Sequence, residues 1–323
     1  MHFMKMAVAT LALTLPLAAS AQSGAFPNRP IRLVVTFPPG GAPDILARAI
    51  GVKMQENFAP SVVVENRPGA GGNIGAEFVA KSPADGYTLV MGTVGTHAIN
   101  TSLYAKMPYD PVRDFAPIIL VASTPNLLVV NNDVPARSVA ELIALAKQRP
   151  GQLAYGSPGI GTSIHVSGEL FSTLAGVRMI HVPYKGRAMA IPDLLAGQIQ
   201  LMFDNMPSAL PVVRDGKLRA LAVTSAKRSA AAPDIPTLAE LGLTGFEATS
   251  WFAIYAPTGT PPDVMARINA ETNRILALAD VRQRLNGIGL DIIGGSPQDL
   301  AAYTRSEVAK WAKVVKDAGA KAD

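Results

Sequence analysis

Apolar and polar positions along this chain fall into blocks that predict strands and helices by turns. Residues 31–37 form an apolar run broken only by Arg32 and Thr36; it stops at Pro38-Pro39-Gly40-Gly41 and gives way to a helical pattern with Ile45, Leu46 and Ala49 on one side. The order of strand, glycine turn and helix then repeats. Ser61-Val62-Val63-Val64-Glu65 leads through Asn66-Arg67-Pro68-Gly69-Ala70-Gly71-Gly72 into a helical stretch over 73–81, and a third strand, 88–91, runs into Gly92-Thr93-Val94-Gly95-Thr96-His97. Three strands in succession ending in glycine or hydroxyl residues predict a parallel α/β sheet.

Beyond Asp110-Pro111, two apolar runs, 118–122 and 127–130, flank Ser123-Thr124-Pro125, and the alternation then restarts. Ser138 with Glu141 three residues on reads as a capping box for a helix through Ala146. Strands at 153–155, 179–182, 199–203 and 218–224 are interleaved with helices at 164–174, up to Ala196 and up to Arg214, which makes a second α/β unit. An alanine- and proline-rich stretch, 230–236, suggests a crossing back. Residues 246–256 read as extended, a helix from Thr260-Pro261 runs to about Leu278, and Ser296-Pro297 opens a last helix with Leu300, Val308, Trp311 and Val315 on its buried side. The expected organisation is a discontinuous first domain, 26–125 plus 235–323, with 126–234 inserted as the second, each an open, mostly parallel sheet flanked by helices.

In open parallel sheets, ligands bind beyond the carboxyl ends of the strands, where helix N-termini converge. Those ends are residues 37–42, 66–73 and 92–97 in the first unit and 156–163, 184–187 and 204–208 in the second, two rims that would face each other across a cleft. A tight turn before a helix leaves N–H groups unpaired, and the helix macrodipole favours an anion there. The rim chemistry of backbone N–H, hydroxyls and a few charges suits a carboxylate better than an apolar ligand.

Composition narrows the classes. Lys5 followed by an apolar run to Ala19 and by Ala19-Ser20-Ala21 reads as a secretory signal, residues 1–21, with cleavage after Ala21. The chain has no cysteine, which excludes disulfides, thiolate metal sites and a cysteine nucleophile. With 323 residues, 49% of them hydrophobic and only 16% charged, it can hold itself together by core packing alone. The net charge of +5 contains no basic run with interleaved aromatics, so nucleic acid is a poor partner.

Enzymatic motifs fail on spacing. The glycine loop 156–163 has Thr162 where a phosphate loop needs lysine, and 69–74 has Ile74 in place of the third glycine of a dinucleotide fingerprint. No Gly-x-Ser-x-Gly elbow exists, and His2, His97, His165 and His181 lack metal-ligand spacing, so neither cofactor nor metal is expected. The candidate ligand-binding residues are Pro39, Gly40, Gly41, Ala42, Asp44, Thr96, His97, Ser157, Gly161, Thr162, Ser163 and Asp204. Each has a structural alternative. Asp44 is equally a favourable first-turn charge, Asp204 a cap for the next helix, and Thr96, Ser157, Thr162 and Ser163 could satisfy their own loops. Arg67 can pair with Glu65 rather than a ligand, and His165 reads more readily as a packed, hydrogen-bonded side chain than as a base.

Taken together, Val34-Val35-Thr36-Phe37-Pro38-Pro39-Gly40-Gly41 with Asp44 and Ala47-Arg48, then Glu65-Asn66-Arg67-Pro68-Gly69-Ala70-Gly71-Gly72 and Ala84-Asp85-Gly86-Tyr87-Thr88-Leu89, resemble the Bug family of substrate-binding proteins, the tripartite tricarboxylate transporter receptors. The likeness continues through Tyr155-Gly156-Ser157, His181-Val182-Pro183-Tyr184-Lys185-Gly186, Met202-Phe203-Asp204-Asn205, residues 216–224 and 256–261. It implies a type II-like, two-domain periplasmic binding protein, monomeric and non-enzymatic, that delivers a small carboxylated solute to membrane transporter subunits. It also implies a carboxylate gripped by loops 38–42 and 156–163, partly through ordered water; family ligands include amino acids, dicarboxylates, tricarboxylates and aromatic carboxylates. One local departure is Ala42-Pro43 before Asp44, where many relatives carry Gly-Thr or a similar pair. The alternatives from other classes are an exported enzyme, such as a hydrolase using Asp204 or His165, and a sensor subunit for a receptor kinase.

Overall fold

The computed structural model describes residues 26–58 and 61–322; the proposed secretory signal lies outside them. In chain order the elements are β1 (Ile31–Val35), α1 (Ala42–Met54), β2 (Val62–Asn66), α2 (Asn73–Ala80), β3 (Thr88–Thr93), α3 (Asn100–Leu103), β4 (Phe115–Asn131), α4 (Val139–Gln148), β5 (Ala154–Ser157), α5 (Ser163–Ala175), β6 (Ile180–Pro183), α6 (Arg187–Leu195), β7 (Leu201–Asn205), α7 (Met206–Arg214), β8 (Leu218–Val223), β9 (Thr249–Pro257), α8 (Pro262–Ala277), α9 (Ala279–Asn286), β10 (Asp291–Ile292) and α10 (Pro297–Ala318). A π-helical turn, Gly95–Ile99, joins β3 to α3.

The strand order is β2-β1-β3-β9-β4-β7-β5-β6, with β8 and β10 also paired to β4. The outer triplets, β2-β1-β3 and β6-β5-β7, are parallel, as the alternation predicts. The middle is antiparallel: β9 opposes both β3 and β4, and β4 opposes β7 and β8. Both halves are therefore mixed sheets of three parallel strands, with β4 and β9 supplying the antiparallel centre.

The main departure from the sequence pattern is β4. Two apolar runs around Ser123-Thr124-Pro125 read as two strands, but β4 is one strand of 17 residues. Its first part, to Pro125, pairs with β9, and from Asn126 on it pairs with β7 and β8. The polar residues at the junction do not break it, because their groups are satisfied sideways. Thr124 Oγ1 donates to Gly289 O at 2.6 Å, and the Asn126 N–H donates to Thr224 Oγ1 at 2.9 Å.

Side-chain period does the rest. In β1, Ile31, Leu33 and Val35 join the core that contains α1, α8 and α9, while Val34 joins the core on the opposite face. That second core holds Trp251, Trp311 and most of the strands of the second half. Among the helix starts, Ser296 and Asp299 form a complete capping box on α10. At α4 only half of the box exists, since Glu141 reaches back one residue further and accepts from the Arg137 N–H. Helix α8 begins one residue later than its proline pattern suggests, with Pro261 as N-cap. Helix α10 packs not only on the first half but also along α5 of the second, where Thr173 Oγ1 donates to Ala318 O. No helix among the described residues is long and apolar enough to cross a membrane.

Candidate functional site

The β1–α1 corner is built around Asp44. The Gly40 N–H, Arg48 Nε and Asn66 Nδ2 all donate to its carboxylate at 3.0 Å, and Asn66 also donates to Phe37 O at 2.9 Å. Burial alone would raise the Asp44 pKa, but these donors outweigh it and hold it below the ordinary 3.8. The residue thus locks the turn. Because its folded pKa is depressed, the stability it contributes is present above its unfolded value and is lost as pH falls through the folded one. Asp44→Asn is therefore expected to cost about 1–2 kcal/mol at neutral pH, a gap that closes below the ordinary carboxylate range. Denaturant unfolding of both proteins across pH 2–7 (roughly the carboxylate window) checks this.

With the turn locked, α1 presents its start without a side-chain cap. Among the described residues the Gly41 and Ala42 N–H groups have no protein acceptor, and Pro43 has none to offer. Opposite, Thr162 caps α5 by accepting from the His165 N–H at 3.2 Å, leaving the N–H groups of Ser163 and Ile164 free of backbone partners. The two helix starts meet at a cavity enclosing about 560 Å³ of space, part of it open to solvent. Its apolar wall includes Phe37, Pro38, Pro43, Pro158, Ile164 and Phe252, and its polar groups include Thr93, Ser163, Arg187, Asp204 and Ser250.

The two rims touch around this cavity. Tyr104 Oη donates to Ile160 O at 3.3 Å. A methyl group built on Gly161 would lie 2.1 Å from Asn100 Oδ1, one on Gly71 would lie 2.3 Å from Ile160 O, and one on Gly186 would lie 2.5 Å from Pro38 Cγ. These glycines set how closely the halves approach.

At the crossing strands a buried network ties the jaws to the sheet. Ser163 Oγ and Ser250 Oγ are 2.6 Å apart, Asn205 Nδ2 donates to Ser250 Oγ at 2.8 Å, and Asn126 Nδ2 donates to Ser167 Oγ at 3.1 Å. Beside it, Asp204 is 1% exposed and accepts from Arg187 Nε at 2.6 Å, while Arg187 Nη2 donates to Ser208 O at 2.7 Å. Burial raises the Asp204 pKa, opposed by Arg187.

Of the residues expected from sequence, Gly41, Thr162, Ser163 and Asp204 line the cavity. Ala42 is buried behind it, and Pro39 and Gly40 form an exposed lip. Thr96 and His97 lie beneath the surface: Thr96 Oγ1 is 2.8 Å from His97 Nδ1, and the imidazole stacks on Tyr255 with centroids 4.0 Å apart. Burial pushes His97 down to about 3, so it stays neutral. Ser157 Oγ contacts His181 Nε2 at 2.7 Å rather than the cavity. The sequence did not single out Arg187, Thr93, Asn205, Ser250 or Phe252; all but the last two lie within the rims read from strand ends, whereas Ser250 and Phe252 sit in a strand with no chemical signature.

His165, Glu169 and His181 come within 4.8 Å of one another, a grouping that sequence spacing does not reveal. The two imidazoles are stacked, with centroids 4.2 Å apart and planes 23° apart. Nitrogen lone pairs lie in the ring planes, so rings stacked in this way do not aim at one metal position. Burial lowers both, His165 to about 4 and His181 to about 3, which fits a neutral stacked pair. Asp204 and His165, the groups an enzyme reading would need, hold different partners: Arg187 for one, Gly161 and His181 for the other.

A sheet divided by crossing strands, with two uncapped helix starts facing each other over a cavity, defines the fold of a two-domain periplasmic binding protein. The chain belongs to the tripartite tricarboxylate transporter receptor family, the Bug proteins, whose profile matches residues 46–320. It is 42% identical over 306 residues to a protein encoded in the tcbD–tcbE intergenic region of Pseudomonas sp. strain P51, covering 94% of this chain and 91% of that one. It is 38% identical over 309 residues to BugT of Bordetella pertussis, covering 95% of each. Among solved structures, Rpa4515 of R. palustris with adipate superposes with a TM-score of 0.89 at 45% identity, covering 91% of this chain and 98% of that one. MatC of Rhodopseudomonas palustris with bound malate gives 0.86 at 34% identity, covering 90% and 100%. Members of this family are periplasmic solute-binding receptors rather than enzymes.

Proposed function

We propose that this protein is an extracytoplasmic receptor that closes its interdomain cleft on a small carboxylated molecule and delivers it, as a monomer, to a membrane transporter. In this reading residues 1–21 direct export to the periplasm. The binding unit is 26–125 plus 235–323 against 126–234, with the crossing strands as the hinge. The observation that carries it is the pair of uncapped helix starts, at Gly41–Ala42 and Ser163–Ile164, whose free N–H groups face one cavity. An anion there gains from both macrodipoles and from removal of water, without needing a side-chain cation. The relatives that carry adipate and malate support a carboxylate as that anion.

The test is a thermal-shift screen of the mature protein against mono-, di- and tricarboxylates and amino acids. A bound ligand stabilises the native state by about 2.7 kcal/mol at a hundred times its dissociation constant, so at least one carboxylate should raise the melting temperature by several degrees. A flat response across the panel, or chemical turnover of a panel member, contradicts the proposal.

A further inference from the structure

Arg187 is the one cation among the described residues lining the cavity. It is the first residue of α6, held in place by Gly186, which packs too closely against Pro38 to carry a side chain. Its guanidinium is only partly used. Nε is bonded to Asp204 and Nη2 to Ser208 O, whereas Nη1 has no protein partner among the described residues, and the side chain retains 18% exposure. Asp204 is committed in the opposite sense. It is buried, one oxygen accepts from Arg187, and the other lies 3.5 Å from Ser208 Oγ. The cavity wall therefore offers a spare donor on a fixed cation, and no free carboxylate for an ammonium group.

We infer that Arg187 is a specificity-determining residue that receives a second acidic group of the ligand through its Nη1 edge, so that the cleft selects an α,ω-diacid with an apolar spacer. This rests on the receptor reading above, which places the first carboxylate at the two helix starts. The apolar side chains between them, Phe37, Pro43, Ile164 and Phe252, would cover the methylene spacer and leave nothing to hydrogen-bond a polar one. Asp204 holds the guanidinium edge-on through Nε, so its fork is pre-oriented before a ligand arrives. A monoacid would leave Arg187 without a counter-group when the cleft closes. An α-amino acid would set its ammonium beside a cation whose own carboxylate partner is already engaged.

The experiment is isothermal titration of the mature protein with a chain-length series of diacids, malonate to suberate, and with the monoacids of matching length. Arg187→Gln combined with Asp204→Asn removes the cation without leaving a bare buried carboxylate, since breaking one side of a buried pair is itself destabilising. Circular dichroism and melting curves check that the double variant folds. We expect at least one diacid to bind the wild-type protein ten-fold or more tightly than its matching monoacid. In the double variant this preference should shrink by about 10- to 100-fold while monoacid affinity holds. Arg187→Lys, which keeps the charge but not the fork, should fall between. Monoacids binding as tightly as diacids in the wild type, or an unchanged diacid preference in the folded double variant, overturns the role of Arg187 and leaves the receptor reading standing. Failure of every mono- and diacid to bind the wild type overturns both.

Discussion

Gly161→Ala is expected to weaken carboxylate binding by about 100-fold, or about 2.7 kcal/mol, while leaving the protein folded. Gly161 has φ of +86°, a conformation that an alanine adopts at a cost of about 1 kcal/mol. The larger effect is steric and acts only when the halves meet. The added methyl would lie 2.1 Å from Asn100 Oδ1 and 3.1 Å from its Cγ. Asn100 cannot simply turn away, because its Nδ2 donates to Asn73 Oδ1 at 2.7 Å and to Gly71 O at 3.2 Å. The jaw carrying Ser163 would therefore be held off the jaw carrying Gly41, and neither holds an anion well alone. Isothermal titration with any carboxylate found to bind checks the loss. Denaturant unfolding without ligand should shift by no more than the backbone cost.

The second large effect concerns stability. Glu307 on α10 is buried and its Oε2 accepts from both indoles, Trp251 Nε1 at 2.8 Å and Trp311 Nε1 at 2.9 Å. Glu307→Ala leaves two buried N–H donors without a partner and opens a cavity between β9 and the helix. Each orphaned donor costs on the order of 1–3 kcal/mol, so a total loss of about 3–5 kcal/mol is expected. That corresponds to a melting temperature lower by roughly 6–10 °C. Glu307→Gln keeps an acceptor and should cost less than half as much. Differential scanning calorimetry of the two variants side by side measures the difference, and equal melting temperatures would contradict the clamp.

Much of this arrangement can be read from sequence, for reasons particular to each piece. The β1–α1 corner is legible because a buried strand, two prolines, two glycines and an amphipathic helix follow in strict order, so local chemistry decides the geometry. The glycine loop 156–163 is legible for the same reason. The long strand β4 is not, since Ser123-Thr124-Pro125 has the composition of a turn and becomes strand only because Gly289 and Thr224 supply the bonds that a turn would have made internally. The helical turn Gly95–Ile99 is hidden for a related reason: its glycine and threonine disfavour helix locally, and packing against Tyr109 and Tyr255 holds it.

Site residues divide along the same line. Gly41, Thr162 and Ser163 act through backbone position, which loop patterns encode. Thr96 and His97 share the loop but turn inward, because a single residue's facing in an irregular turn depends on what packs behind it. Asp204 is marked by its place at a strand end, yet its partner Arg187 lies 17 residues away in sequence and only the parallel pairing of β5, β6 and β7 brings them together. Ser250 and Asn205 join the site through the crossing of β9 and β7 over β4, a tertiary relation with no local trace.

The central claim is that the facing helix starts close on an anion. Its most direct test is calorimetric titration of the mature protein, unfolded and refolded to remove any resident ligand, with adipate and the other members of the carboxylate panel, followed by small-angle scattering with and without the best binder. The account predicts saturable one-to-one binding of at least one carboxylate and a smaller radius of gyration in its presence. Absence of binding across the panel, or binding that leaves the radius unchanged and survives Gly161→Ala intact, would contradict it.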